Sequence, residues 1–228
     1  MNSAPWQPTY EPDQSEDVPM TPDPHVQQYG PSGAQAPSQQ QGGRPGDVPA
    51  PQPAGRPSKA AGRLHMVSVL TLGLMAGLFF AYDVSVMPGL AKTDDRTYVA
   101  AMQQFNAEID GNGLFALIFM GAILAAGLAA FLEFRRGHKT IALWAGLAAV
   151  LYLAVLMLTM GVEIPLNTQL ADLGDPAKVH DFALVDKFKG TWETVNICRT
   201  LLTTAALGCA AYAARLHGRA EALLTAGR

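Results

Sequence analysis

Two stretches of this chain leave little choice of environment. Residues 114–134 (LFALIFMGAILAAGLAAFLEF) and 141–160 (IALWAGLAAVLYLAVLMLTM) are apolar almost all the way round, with only a short basic break between them. A helix of a water-soluble bundle shows a polar face opposite its buried stripe, and neither stretch has one. A bilayer core of ~30 Å takes about 20 such residues per helix. Two further runs, 64–82 and the less pure 195–214, approach that length. The sequence therefore predicts an all-α fold: a four-helix transmembrane bundle over residues 63–217, followed by a short cytoplasmic tail at 218–228. Between the first two spans, Tyr98, Met102, Phe105 and Ile109 recur at helical spacing, which predicts a short helix in the first outer loop.

Averaged over the chain, a hydrophobic fraction of 49% conceals how unevenly it is distributed. Thirteen of the sixteen prolines fall within residues 1–62, among Gln, Gly and Ser and with almost no aliphatic clusters. Such a segment buries too little apolar surface to offset the entropy of ordering, so it is expected to be a disordered cytoplasmic tail. It is also much longer than the charged leader of a signal peptide, so the first run is expected to be a retained anchor. A net charge of -3 with no basic stripe excludes a nucleic-acid footprint.

Charge at the helix ends predicts orientation. Arg56, Lys59 and Arg63 precede the first span, Arg135, Arg136 and Lys139 fill the second loop, and Arg215 and Arg219 follow the fourth span. The excess of Lys and Arg marks the cytoplasmic side, so both termini are expected inside, in a multi-pass protein of a bacterial plasma membrane. Small residues such as Gly73, Gly77, Gly121, Ala125, Gly127 and Gly146 either let helices approach closely or reflect general membrane composition. Cys198 and Cys209 lie about 16 Å apart along one helix, too far to bridge.

Polar residues near the outer helix ends carry the functional signal, because lipid makes them costly. Trp192, Asn196 and Arg199 stand at i, i+4 and i+7, which puts an indole, an amide and a guanidinium on one helix face. Arg199 lies a turn inside the apolar run and needs a partner, for which Glu163 at the end of the third span is the candidate. In one reading this pair and the neighbouring amides pin the bundle, with Pro165 ending the third helix. In the other they line an outward-facing pocket that holds the polar head of a largely apolar ligand. No metal site is expected: His180 and Glu163 show no ligand spacing, and His65, His138 and His217 read as residues of the inner membrane boundary. No nucleotide or serine-hydrolase motif is present.

The order of four short motifs is informative: Met87-Pro88-Gly89-Leu90, Met102-Gln103-x-x-Asn106, Pro165-Leu166-Asn167 and Trp192-x-x-x-Asn196-x-x-Arg199. Together they resemble the anthrone oxygenase-like family of membrane proteins, over about residues 66–214. The resemblance implies a four-helix bundle that oxidises an anthrone-type aromatic polyketide to an anthraquinone with molecular oxygen, without a conventional flavin or haem cofactor. Its matching positions are Met87, Pro88, Gln103, Asn106, Pro165, Asn167, Trp192, Asn196 and Arg199. Glu163 departs from the pattern, standing where the family usually has Asn. Combined with the helix-face spacing, this assigns Glu163 and Arg199 to catalysis and Gln103, Asn106, Asn167, Trp192 and Asn196 to substrate binding. The alternative is a non-catalytic membrane module that binds a lipid, a quinone or a partner protein.

Overall fold

The computed structural model describes residues 55–227. Most of the expected tail, residues 1–54, lies outside that range. The described residues are all-helical, with no strand among them. Four helices are long and apolar enough to cross a membrane: α1 (Lys59–Leu90), α3 (Gly113–Arg135), α4 (Lys139–Ala171) and α5 (Ala183–Ala226). The predicted short outer helix is α2 (Asp95–Asp110).

Each membrane helix packs against two neighbours, α1 against α3 and α5, and α4 against α3 and α5, which makes a four-membered ring. The start of α1, the α3–α4 turn and the end of α5 share one end of the bundle, called here the terminal end. The other, the loop end, carries α2 and the α4–α5 connection.

Polarity is inverted relative to a water-soluble bundle. Leu74, Leu117, Leu124, Leu143, Val150 and Leu201 cover the outside, while His65, Glu133, Glu163, Asn196, Arg199, Thr203 and His217 are buried. Exposed apolar surface on this scale belongs against lipid. Close packing rests on alanines, with Ala122, Ala125, Ala126 and Ala129 of α3 buried among Ala142, Ala145 and Ala148 of α4 and Ala206, Ala210 and Ala213 of α5. Of the small residues picked out in the sequence, only Ala125 joins them. A Cβ placed on Gly73, Gly77, Gly121 or Gly127 meets nothing within 4 Å, so these glycines do not provide the close contacts.

Side chains mark where the helices begin. Ser58 caps α1, Asp94 accepts from the Thr97 amide at the start of α2, and Asn112 accepts from Leu114 and Phe115 at the start of α3. These groups satisfy amide donors that have no intrahelical partner. Gly137, at φ 83, closes the α3–α4 turn, with His138 N–H donating to Glu133 O and Gly137 N–H to Phe134 O, both at 3.0 Å. This is a Schellman closure, and it needs a residue that tolerates the left-handed region.

Both proline motifs have a structural consequence that the sequence reading did not foresee. Pro165 does not end the third membrane helix. α4 passes through a π-helical turn at Thr159–Glu163 and continues to Ala171, and α1 does the same at Tyr82–Val86 before Pro88. A proline removes an N–H and crowds the carbonyl four residues earlier. Opening the preceding turn so that Met87 N–H reaches Tyr82 O, and Ile164 N–H reaches Thr159 O, lets each helix run on.

Above these turns a second apolar cluster caps the loop end, formed by Met87, Tyr98, Val99, Met102, Leu170, Val185, Phe188 and Trp192. Gln103 ties α2 to it by donating to Leu170 O at 2.9 Å and Gly174 O at 3.1 Å. Lys189 pairs with Asp95 at 2.8 Å and lies over the Tyr98 ring.

Candidate functional site

Between this cap and the mid-membrane core lies a cavity of about 260 Å³. A single water needs roughly 10–15 Å³, so the space suits a molecule of many atoms. Aromatic side chains form much of its wall: Phe79 and Tyr82 from α1, Phe115 and Phe119 from α3, and Trp192 from α5. Ala116, Met120, Met160 and Ile164 also line it and are themselves exposed on the apolar exterior, so the rim faces lipid.

Five of the seven residues expected in the site line this cavity: Glu163, Arg199, Asn106, Asn167 and Trp192. They come from α2, α4 and α5, and the two π-helical turns bring Tyr82, Thr159 and Glu163 into the same wall. Glu163 Oε2 lies 3.7 Å from Arg199 Nη1, so the expected ion pair is present and a cavity adjoins it. Arg199 is held on several sides. Its Nη1 donates to Thr159 Oγ1 at 3.3 Å, its Nη2 donates to Asn196 Oδ1 at 2.7 Å, and its guanidinium carbon stands 4.3 Å from the centre of the Phe79 ring. Trp192 Nε1 donates to Asn167 Oδ1 at 3.2 Å, which fixes the indole edge.

Gln103 and Asn196 do not line the cavity. Gln103 is the α2 tether already described. Asn196 is fully buried behind Arg199, where its amide donates to Phe79 O at 3.0 Å and to Asp83 Oδ1 at 2.6 Å. The sequence reading passed over Asp83, whose Oδ2 also accepts from Thr200 Oγ1 at 2.5 Å. This carboxylate joins α1 to α5 and, through Asn196, sets the height of Arg199. Its signal in the sequence was present but unused, since an acidic residue directly at the end of the apolar run 64–82, followed by further apolar residues, is costly in lipid and needs a partner as Arg199 does.

Three polar atoms in the site are buried without a hydrogen-bond partner: Glu163 Oε1, Arg199 Nε and Asn106 Nδ2. All three belong to residues that line the cavity. Buried polar groups are normally paired, and here an acceptor and two donors stand unpaired behind an otherwise aromatic wall, where side-chain rotation would turn them toward a bound molecule. A flat, apolar molecule with oxygen substituents at one edge satisfies both requirements.

No curated protein and no solved structure matches this chain. A family model described as anthrone oxygenase matches residues 113–209, which cover α3, α4 and the part of α5 that carries Trp192, Asn196 and Arg199. α1 and α2, with Asp83 and Asn106, lie before the matched segment. Over that segment, which supplies most of the cavity wall, this chain with its four membrane-length helices is similar to the anthrone oxygenase family.

Proposed function

We propose that the protein binds an anthrone-type aromatic polyketide from the bilayer and oxidises it with molecular oxygen. The observation that carries this reading is an aromatic cavity whose rim faces lipid and whose wall includes Glu163, Arg199 and Asn106, each with a buried polar atom that lacks a partner. The overall change is anthrone plus dioxygen to anthraquinone plus water. Glu163 removes a proton from the ring methylene and leaves the enolate, whose oxygen is stabilised by the Arg199 guanidinium. Dioxygen adds at that carbon and protonation gives a hydroperoxide. Loss of the remaining hydrogen on that carbon with cleavage of the O–O bond then yields the ketone and water. Asn106 and Asn167 orient the ring hydroxyls, and Trp192 with Phe79 holds the ring plane. Asn196 acts as a positioning residue through Arg199. No further cofactor is invoked for these steps. The distribution of Lys and Arg supports the terminal end as the cytoplasmic side.

Substrate-dependent oxygen uptake by the full chain in detergent, with an anthrone as substrate, tests the proposal. Acceleration over the spontaneous reaction is expected, with Glu163→Gln slowing turnover by about 10²–10⁴-fold, the usual contribution of a general base. No acceleration with any anthrone, together with a Glu163→Gln variant altered only in stability, refutes it. Quenching of Trp192 fluorescence by an anthrone or quinone without turnover would instead favour a binding module.

A further inference from the structure

The terminal end of the bundle holds a second set of buried titratable groups, and no step of the oxidation uses it. Glu133 of α3 has no exposed surface. His217 Nδ1 of α5 lies 2.5 Å from its Oε1, His65 Nε2 of α1 lies 3.2 Å from the same oxygen, and His138 Nδ1 lies 2.6 Å from Oε2. His65 and His217 are themselves buried. The sequence reading left these histidines at the membrane boundary as separate residues, because no two share a ligand spacing. The fold gathers them from α1, the α3–α4 turn and α5.

The three rings stand in different relations to the carboxylate. Both nitrogens of His138 face acceptors, Glu133 Oε2 on one side and Gly55 O at 2.8 Å on the other, so this ring is committed to hydrogen bonding. The other two aim one nitrogen each at Oε1, and the three atoms lie within 4.8 Å of one another. Bonds of about 2.0–2.2 Å from a zinc-like ion to N and O put neighbouring ligand atoms about 3.0–3.4 Å apart. The 3.2 Å separation falls within that range and the 2.5 Å separation lies below it, so side-chain rotation that widens the shorter one reaches ligand spacing. Space for the His217 ring depends on Gly62, where an added Cβ would come 3.0 Å from Nε2.

We propose that His65 Nε2, His217 Nδ1 and Glu133 Oε1 bind one divalent transition-metal ion. His138 supports it from outside by holding the second carboxylate oxygen, as ligating carboxylates are commonly held. Two imidazoles and a carboxylate suit an ion of borderline hardness such as Zn²⁺, Co²⁺ or Fe²⁺ and leave positions for water. Fourteen residues of α3 separate Glu133 from Phe119 in the cavity wall, about 21 Å at 1.5 Å per residue. The ion is therefore a staple joining α1, α3 and α5, remote from the oxidised ring.

The full chain in detergent, stripped with a chelator and titrated with Co²⁺, tests the site. A visible d–d absorption band that saturates at one equivalent is expected, displaced by Zn²⁺ and accompanied by a rise in the unfolding temperature. His65→Ala and the near-isosteric Glu133→Gln should each weaken Co²⁺ binding at least tenfold, whereas His138→Ala should keep the band and weaken binding by about 10–100-fold. No saturable band in wild-type protein with native circular dichroism overturns the assignment. A band unchanged in folded Glu133→Gln does the same, and if His65→Ala fails to fold, the wild-type titration and Glu133→Gln decide.

Discussion

Replacing Asn196 with alanine removes a side chain that touches no ligand in the proposed reaction, yet three elements depend on it. The amide donates to Phe79 O and to Asp83 Oδ1 and accepts from Arg199 Nη2, at 3.0, 2.6 and 2.7 Å. Side-chain hydrogen bonds in membrane bundles average about 0.6 kcal/mol and reach about 1.7. Two of these three have a charged partner and belong near the upper figure, so their loss should cost about 2–4 kcal/mol. Unfolding of Asn196→Ala in mixed micelles, compared with wild type, measures this directly. Because Arg199 loses its anchor, the double variant with Arg199→Ala should be less damaged than the two single effects combined, a coupling of about 1 kcal/mol or more. A loss below about 0.5 kcal/mol, or strict additivity with Arg199→Ala, would refute the placement of Asn196 as the support of Arg199.

Further outcomes can be checked separately. Ala116→Phe puts a ring at the lipid-facing rim of the cavity, and it should weaken anthrone binding at least tenfold, measured by Trp192 quenching, with stability changed by less than about 1 kcal/mol because the position is exposed. Gly137→Ala forces a side chain to φ 83 and should cost about 1–2 kcal/mol in the same unfolding assay. Burial, with smaller contributions from the Glu193 and Glu163 charges, raises the Tyr98 phenol well above its ordinary value. A raised folded value means that its stabilising effect is intact below the unfolded pKa of ~10 and lost as pH rises beyond it. The cap over α2 should therefore loosen in strong alkali, and Tyr98→Phe should remove that alkaline component, followed by hydrogen exchange of the α2 amides.

The membrane spans were legible because length and all-round apolarity are local properties. Residues 114–134 and 141–160 needed no knowledge of their neighbours. The ends were less legible: α5 runs from Ala183 to Ala226, well beyond the apolar run at 195–214, because its polar extensions join the loop-end cap and follow α1 at the terminal end. Trp192 and Arg199 could be grouped because one helix sets their spacing. Asp83 and Asn196 could not, being 113 positions apart and joined only when α1 meets α5. The same holds for Glu133 and its histidines, whose 68- and 84-residue separations carry no periodic signal. A charged residue within an apolar run announces that a partner exists without naming it.

The π-helical turns at Tyr82–Val86 and Thr159–Glu163 also act as phase shifts. An α-helix advances about 100° per residue, so one additional residue in a turn rotates everything beyond it by that angle relative to everything before. In α1 and α4, the half built to face lipid and the half built to hold the loop-end cap are thus set to different azimuths on one continuous rod. Removing a single residue from either turn would restore the α-helical phase and swing one half about 100° around its axis. The cavity would lose a wall through rotation alone, with every remaining side chain unchanged in chemistry. For this protein, the number of residues in those two turns is as much a part of the site as their identity.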